Sequence, residues 1–179
     1  MTDHLEVYVM EFYEVIRTRR SVRSYKPDPV PEDALRRVLD AARIAPSGSN
    51  RQPWKFVVVR DPEVKRRLAE ACRGQMFIAD ASVVVVALGD PSISRWYLQD
   101  PMIAVEHMVL EATELGYGTC WIGAFDEEAV KRVLDIPAGL KVVCALPIGV
   151  PDESPTARSR KPLDEIFYLD KYGNKYPVG

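Results

Sequence analysis

The chain has 179 residues, 47% of them apolar and 28% charged, which leaves room for one ordinary domain and excludes disordered, collagen-like and fibrous classes. Its 24 Lys+Arg against 26 Asp+Glu give a formal net charge of −2, so no overall field favours a nucleic acid or an anionic membrane as partner. Two histidines, His4 and His107, argue against a histidine-rich metal centre, and three scattered cysteines, Cys72, Cys120 and Cys144, make no disulfide framework, which suits a reducing, cytoplasmic setting.

Residues 1–10 mix Asp3, His4 and Glu6 with apolar residues and read as no signal peptide. No apolar run reaches the roughly 18 residues that a membrane span requires. Residues 9–17 predict a first helix with Phe12, Val15 and Ile16 on one side. Pro27, Pro29 and Pro31 forbid a continuous helix beyond it. A second helix starts near Pro31, a suitable first-turn residue, with Glu32 and Asp33 at its positive end and Leu35, Val38, Leu39 and Ala42 as its buried stripe. Pro46 stops it, and residues 46–53 form a polar loop. Residues 54–59 are β-rich without alternation and predict a strand buried on both faces. A short helix over 61–71 and a strand over 82–88, containing Val83-Val84-Val85-Val86, follow.

Residues 100–115 predict a long helix closed by Gly116. Ile103, Ala104, Val105, Met108, Val109, Leu110 and Ala112 nearly encircle its middle, so something must bury it, a second copy being one candidate. A strand over 119–122, a helix over 127–134 and a strand over 142–150 complete the body. The tail over 151–179 is rich in Pro, Arg, Lys and Tyr, and it must pack on the body or reach a partner. Helices alternating with four or five strands indicate a layered α/β or α+β domain.

Two basic patches, Arg19-Arg20-Ser21-Val22-Arg23 and Arg158-Ser159-Arg160-Lys161, each combine guanidinium groups with a hydroxyl, the donor set that grips a phosphate. Composition alone favours two solvated loops paired with acidic residues. The loop Pro46-Ser47-Gly48-Ser49-Asn50-Arg51-Gln52-Pro53 either offers polar groups to a planar heteroaromatic ligand or is a turn. Gly116, Gly118 and Gly123 either let a ligand approach the backbone or serve a helix cap and tight turn. They are no dinucleotide fingerprint, because an apolar strand follows and no helix starts among them. Cys120, beside Trp121, reads as a buried small hydrophobe, and His107 as a core or interface residue. With no Ser-His-Asp, phosphate-loop or zinc pattern, these sites are built to bind, and a cofactor must carry the chemistry.

Four motifs, in order, resemble the nitroreductase family of FMN-dependent oxidoreductases. They are the patch at residues 19–23; Ala45-Pro46-Ser47-Gly48-Ser49-Asn50-Arg51-Gln52-Pro53-Trp54; Gly116-Tyr117-Gly118-Thr119-Cys120-Trp121-Ile122-Gly123; and Arg158-Ser159-Arg160-Lys161-Pro162-Leu163. The resemblance spans about residues 12–166. It implies a single α+β domain over 1–179, a three-layer α/β/α fold with a mainly antiparallel sheet of four to five strands flanked by helices. The arm over 151–179 would reach the partner subunit of a homodimer with FMN at its interface. By position, Arg19, Ser21, Arg158 and Arg160 match residues that hold the FMN phosphate, and Arg20 a main-chain contact there. Arg23 matches the basic residue near the ribityl chain and the pyrimidine edge. Pro46, Ser47, Ser49 and Asn50 match the loop that the other subunit lays over the ring, while Trp121, Ile122, Gly123 and Ala124 match the segment beside it. Gln75 follows a Gly-Gln pair of one branch. The implied activity is hydride transfer from NADH or NADPH through FMN to nitroaromatic, quinone or related small-molecule acceptors, with no metal and no protein acid or base. Deazaflavin-precursor reduction, reductive dehalogenation, flavin fragmentation and a flavin carrier without turnover are the alternatives.

Overall fold

The computed structural model describes residues 11–177, so the reading of residues 1–10 and the first two positions of the predicted first helix lie outside the described residues. Two long apolar strands organise the rest. β2 (Val83–Gly89) is buried along its whole length, and β4 (Lys141–Gly149) along all but its first residue. They pair antiparallel, Val83 opposite Ile148 and Val86 opposite Ala145. Successive side chains leave opposite faces of a strand. Val83, Val85 and Ala87 therefore enter one core with Leu146 and Ile148, while Val84, Val86 and Leu88 enter another with Ala145. The register shifts between Ala87 and Leu88, which pair with Cys144 and Val142, so Val143 is the extra, bulged residue. The bulge puts Val143 and Cys144 in the same core.

The first core is closed by α2 (Glu32–Arg43), which packs on α5 (Gln99–Glu114), with α1 (Phe12–Thr18) against α5. Leu35, Val38 and Ala42 form the buried stripe of α2, and Pro31 is its N-cap, one position earlier than predicted. The second core is closed by α3 (Pro62–Ala71), α4 (Phe77–Asp80) and α6 (Glu127–Leu134). Asp61 and Asp126 cap α3 and α6 by accepting the backbone N–H of Val64 and Ala129, each at 2.9 Å. Three layers result, as expected. The sheet has four strands in the order β1-β2-β4-β3, all antiparallel.

Three expectations need correction. β1 (Trp54–Val59) is an edge strand with only its terminal residues buried; Lys55 and Val58 face outward. The predicted strand over 119–122 shrinks to β3 (Gly118–Thr119) and a lone bridge from Ile122 to Ala145. Thr119 opposite Ile148 and Ile122 opposite Ala145 keep one register, which sets Cys120 opposite Pro147. Proline has no N–H to complete that rung, so the ladder breaks there. Finally, the chain itself buries Ala104, Val105, Met108, Val109 and Ala112 of α5, leaving only Met102 and Ile103 well exposed among its large apolar residues. α5 ends at Gly116, φ +83°, with Gly116 N–H bonded to Thr113 O and Tyr117 N–H to Ala112 O.

Beyond β4 the tail runs along the body before turning away. Tyr25 bridges Pro151, and Asp152 N–H reaches Ser24 O at 2.9 Å. A short helix α7 (Leu163–Ile166) and a Tyr168–Lys175 bridge follow, leaving Leu163, Phe167 and Tyr172 exposed.

Candidate functional site

Residues 19–23 leave α1 and lie along the sheet edge. Ser21 forms a parallel bridge to Thr119, and Val22 N–H bonds Thr119 O at 2.9 Å. Gly118 makes the approach possible, since a Cβ there would meet the Val22 side chain at 2.8 Å. Tyr25 anchors the far end, its buried hydroxyl donating to Val22 O at 2.8 Å and its ionisation pushed up by burial. The tail passes beside this strap, where the Glu153 carboxylate accepts the backbone N–H of Arg23.

The two basic patches therefore meet. A cavity of about 470 Å³ is lined by Arg17, Arg19, Arg20, Ser21 and Arg23 on one side and by residues 155–158 and Arg160 on the other. Six arginines face it and no carboxylate does. Arg17 is held by Glu14 at 2.7 Å, Arg20 donates to Arg17 O and Arg19 O, and Arg160 donates to Arg158 O and Ser159 O. The guanidinium groups of Arg19, Arg23 and Arg158 form no ion pair with a carboxylate among the described residues. Like charges so placed repel one another unless an anion joins them. Acidic residues touch this cluster only through Glu14 on Arg17 and Glu153 on the Arg23 main chain, so the guanidinium groups of Arg19, Arg23 and Arg158 are left for another anion. Arg17 and Thr156 also line the cavity and were not singled out from the sequence; Arg17 lies one helical turn before Arg20, the only hint available.

Cys120 lies beneath this cavity, buried and unpaired by any disulfide. Burial pushes its thiol up, while Arg23, Ser21 and Arg19 pull the other way, so it is a neutral core residue. The chain then runs outward. The Trp121 indole N–H donates to Glu106 at 3.2 Å on α5. Ile122 is buried with both backbone groups paired to Ala145, so it positions its neighbours. Gly123 and Ala124 are exposed, and a Cβ on Gly123 would meet nothing within 4 Å. Gln75 joins them, its amide donating to Ala124 O at 3.2 Å and Cys72 O at 2.8 Å.

The loop at 46–53 stands apart and does not line the arginine cavity. It is rigid by construction. Ser49, Asn50 and Gln52 all hold left-handed backbone, φ 52°, 54° and 49°, a conformation that costs a non-glycine residue free energy and is found where a site fixes it. Ser47 Oγ accepts Gln52 N–H at 2.9 Å, and the buried Asp100 carboxylate accepts Gly48 N–H at 3.2 Å. Ser49 thus lines a second cavity with Gly48, Arg51, Arg95 and Trp96. Trp96, which with Tyr97 the sequence offers either as a border of a substrate pocket or as a core or interface aromatic, lines this cavity, whereas Glu106, Asp100 and Arg95 were not assigned to a site from the sequence.

Among the described residues no helix is long and apolar enough to cross a membrane, and no three His, Cys, Asp or Glu side chains converge on a metal position.

The model of the nitroreductase family matches residues 16–102 and 76–150. A Methanothermobacter thermautotrophicus protein, named provisionally as an NADH dehydrogenase/NAD(P)H nitroreductase, is 33% identical over 96% of this chain and 94% of its own. The crystal structure of a nitroreductase family protein from Clostridium novyi superimposes with a TM-score of 0.76 at 39% identity, covering 93% of this chain and 97% of that one. An FMN-dependent nitroreductase from Clostridium difficile superimposes with a TM-score of 0.81 at 30% identity, covering 88% and 98%.

Proposed function

The chain belongs to the nitroreductase family, and from that premise we propose that it is an FMN-dependent NAD(P)H oxidoreductase reducing nitroaromatics, quinones or related electrophiles. The observation that carries the reading is the cavity with six arginines, one serine hydroxyl and no carboxylate. That donor set fits a phosphate monoester dianion, which accepts charge-assisted, bidentate bonds from guanidinium groups. Arg19, Ser21, Arg158 and Arg160 hold the phosphate, with Arg20 bracing the main chain beside it. Bound FMN supplies the two-electron chemistry, which the protein side chains lack.

The remaining residues orient that cofactor. Arg23, whose guanidinium pairs with no carboxylate, would stand toward the ribityl chain and the pyrimidine edge, where a fixed cation favours added negative charge. Gln75 and the segment Trp121, Ile122, Gly123 and Ala124 border the ring, Glu106 fixing the Trp121 indole. Pro46, Ser47, Ser49 and Asn50 act from a second copy of the chain, which fits their separation from the arginine cavity and the rigidity of their loop. On this reading the working unit is a homodimer with two cofactor sites at its subunit interface. Absorbance of the purified protein near 450 nm, followed by rapid-mixing reduction with NADH and NADPH and reoxidation by a quinone, tests this. Colourless protein that takes up no added FMN overturns it.

A further inference from the structure

We propose that Arg51, Arg95 and Trp96 form a binding subsite for a planar aromatic molecule that carries an anionic group. These three side chains, with Gly48 and Ser49, line a cavity of about 330 Å³, enough for one aromatic ring and its substituents. Neither arginine has a carboxylate partner among the described residues, and no carboxylate lines the cavity. The Arg95 guanidinium lies 4.7 Å from the centre of the Trp96 ring, so this cation is already placed beside an aromatic plate.

The backbone that carries the plate is tied down: the main-chain N–H of Trp96 bonds Ser94 Oγ at 3.1 Å, and its carbonyl accepts Asp100 N–H at 2.9 Å. Its ring fills the space over Gly48, where a Cβ would lie 2.9 Å from Cδ1. The Asp100 carboxylate accepts Gly48 N–H while its own N–H donates to Trp96 O, so one residue ties the loop to the Trp96 backbone. The indole is 43% exposed, so the part of the ring that Arg95 and Gly48 leave uncovered is a stacking surface, and two guanidinium groups without carboxylate partners beside it select negative charge.

This inference rests on the function proposed above. If the 46–53 loop lies over the cofactor of a second copy, the subsite borders the reacting ring and sorts the molecules that dock there. The anionic group can belong to an acceptor or to the nucleotide donor, and the measurements separate the two. In the flavin-loaded Arg51→Gln/Arg95→Gln variant, KM should rise about tenfold or more for 4-nitrobenzoate, for NADPH or for both, while KM for neutral nitrobenzene stays within about twofold. A rise for 4-nitrobenzoate assigns the subsite to the acceptor, and a rise for NADPH alone assigns it to the donor phosphates. Both arginines are exposed, so flavin content and thermal midpoint should match the parent protein. Calorimetric binding of 4-nitrobenzoate, weakened by about tenfold in the variant, reads the subsite without turnover. KM values that are unchanged, or that rise equally for charged and neutral acceptors, overturn the proposal. Loss of flavin from the parent protein would instead overturn the function above, and the calorimetric arm would still judge the subsite.

Discussion

Val22 rests on Gly118 so closely that a single added methyl would sit 2.8 Å from its side chain. The pair joins the strap that carries Ser21 and Arg23 to the sheet edge. Gly118→Ala should push the strap outward, lower thermal stability by about 1–3 kcal/mol through overpacking, and weaken FMN binding with it. Fluorescence titration of FMN into the variant, beside a melting curve, checks this. Parent-like FMN affinity in the variant would contradict the coupling.

The arginine cavity makes a direct demand. Each charge-assisted contact to a phosphate contributes roughly 1.5–3 kcal/mol, so Arg19→Ala and Arg160→Ala should each weaken FMN binding about tenfold or more. Equilibrium dialysis gives the constants. A double variant that purifies fully loaded would rule out the phosphate assignment.

Arg23 should act on potential more than on affinity. Arg23→Gln removes a cation from the pyrimidine edge and should lower the two-electron midpoint by about 30 mV for each 1.4 kcal/mol of lost preference for the reduced form. A spectroscopic redox titration of loaded protein measures it, and an unchanged midpoint would assign Arg23 a different role.

The two faces of α5 predict opposite failures. Ile103, 41% exposed, should tolerate Glu in the folded chain yet break a dimer built on this face. Val105 is fully buried in the first core, so Val105→Glu should unfold the chain itself by stranding a charge. Light scattering and circular dichroism of the two variants distinguish these outcomes.

The buried thiols set an alkaline limit. Burial pushes Cys72 up to about 11 and Cys144 up to about 12, and Cys120 rises as well. The folded state then holds protons that the unfolded state releases from about pH 9 upward. Stability should be constant with respect to these groups below pH 9 and fall as pH rises from 9 toward 12. Urea unfolding at stepped pH measures the slope. In native protein at pH 8, a thiol reagent should find almost no reactive cysteine.

Much of this was legible in local pattern. The valine run of β2 and the stripe of α2 are short-range signals that kept their meaning in the fold, and the two Arg-Ser patches, equally local, come to line one cavity. What escaped depends on neighbours far along the chain. Trp54–Val59 reads the same whether it lies inside a sheet or at its edge. The break beside β3 is written in Pro147, on another strand. The apolar ring of α5 gives no sign of which side its own chain covers. The contact of Trp96 with Gly48 joins two loops that no periodicity links.

The walls of the arginine cavity come from segments far apart in the sequence, Arg19 before every strand of the sheet and Arg160 after the last of them. During synthesis, every strand of the sheet has been made before the ribosome adds Arg158. A nascent chain can therefore begin assembling its core while two of the six cavity arginines have yet to be made. On the proposed phosphate reading of this cavity, the cofactor's anion seat is completed only when residues 158–160 follow the finished set of strands, so loading comes after the sheet has been made.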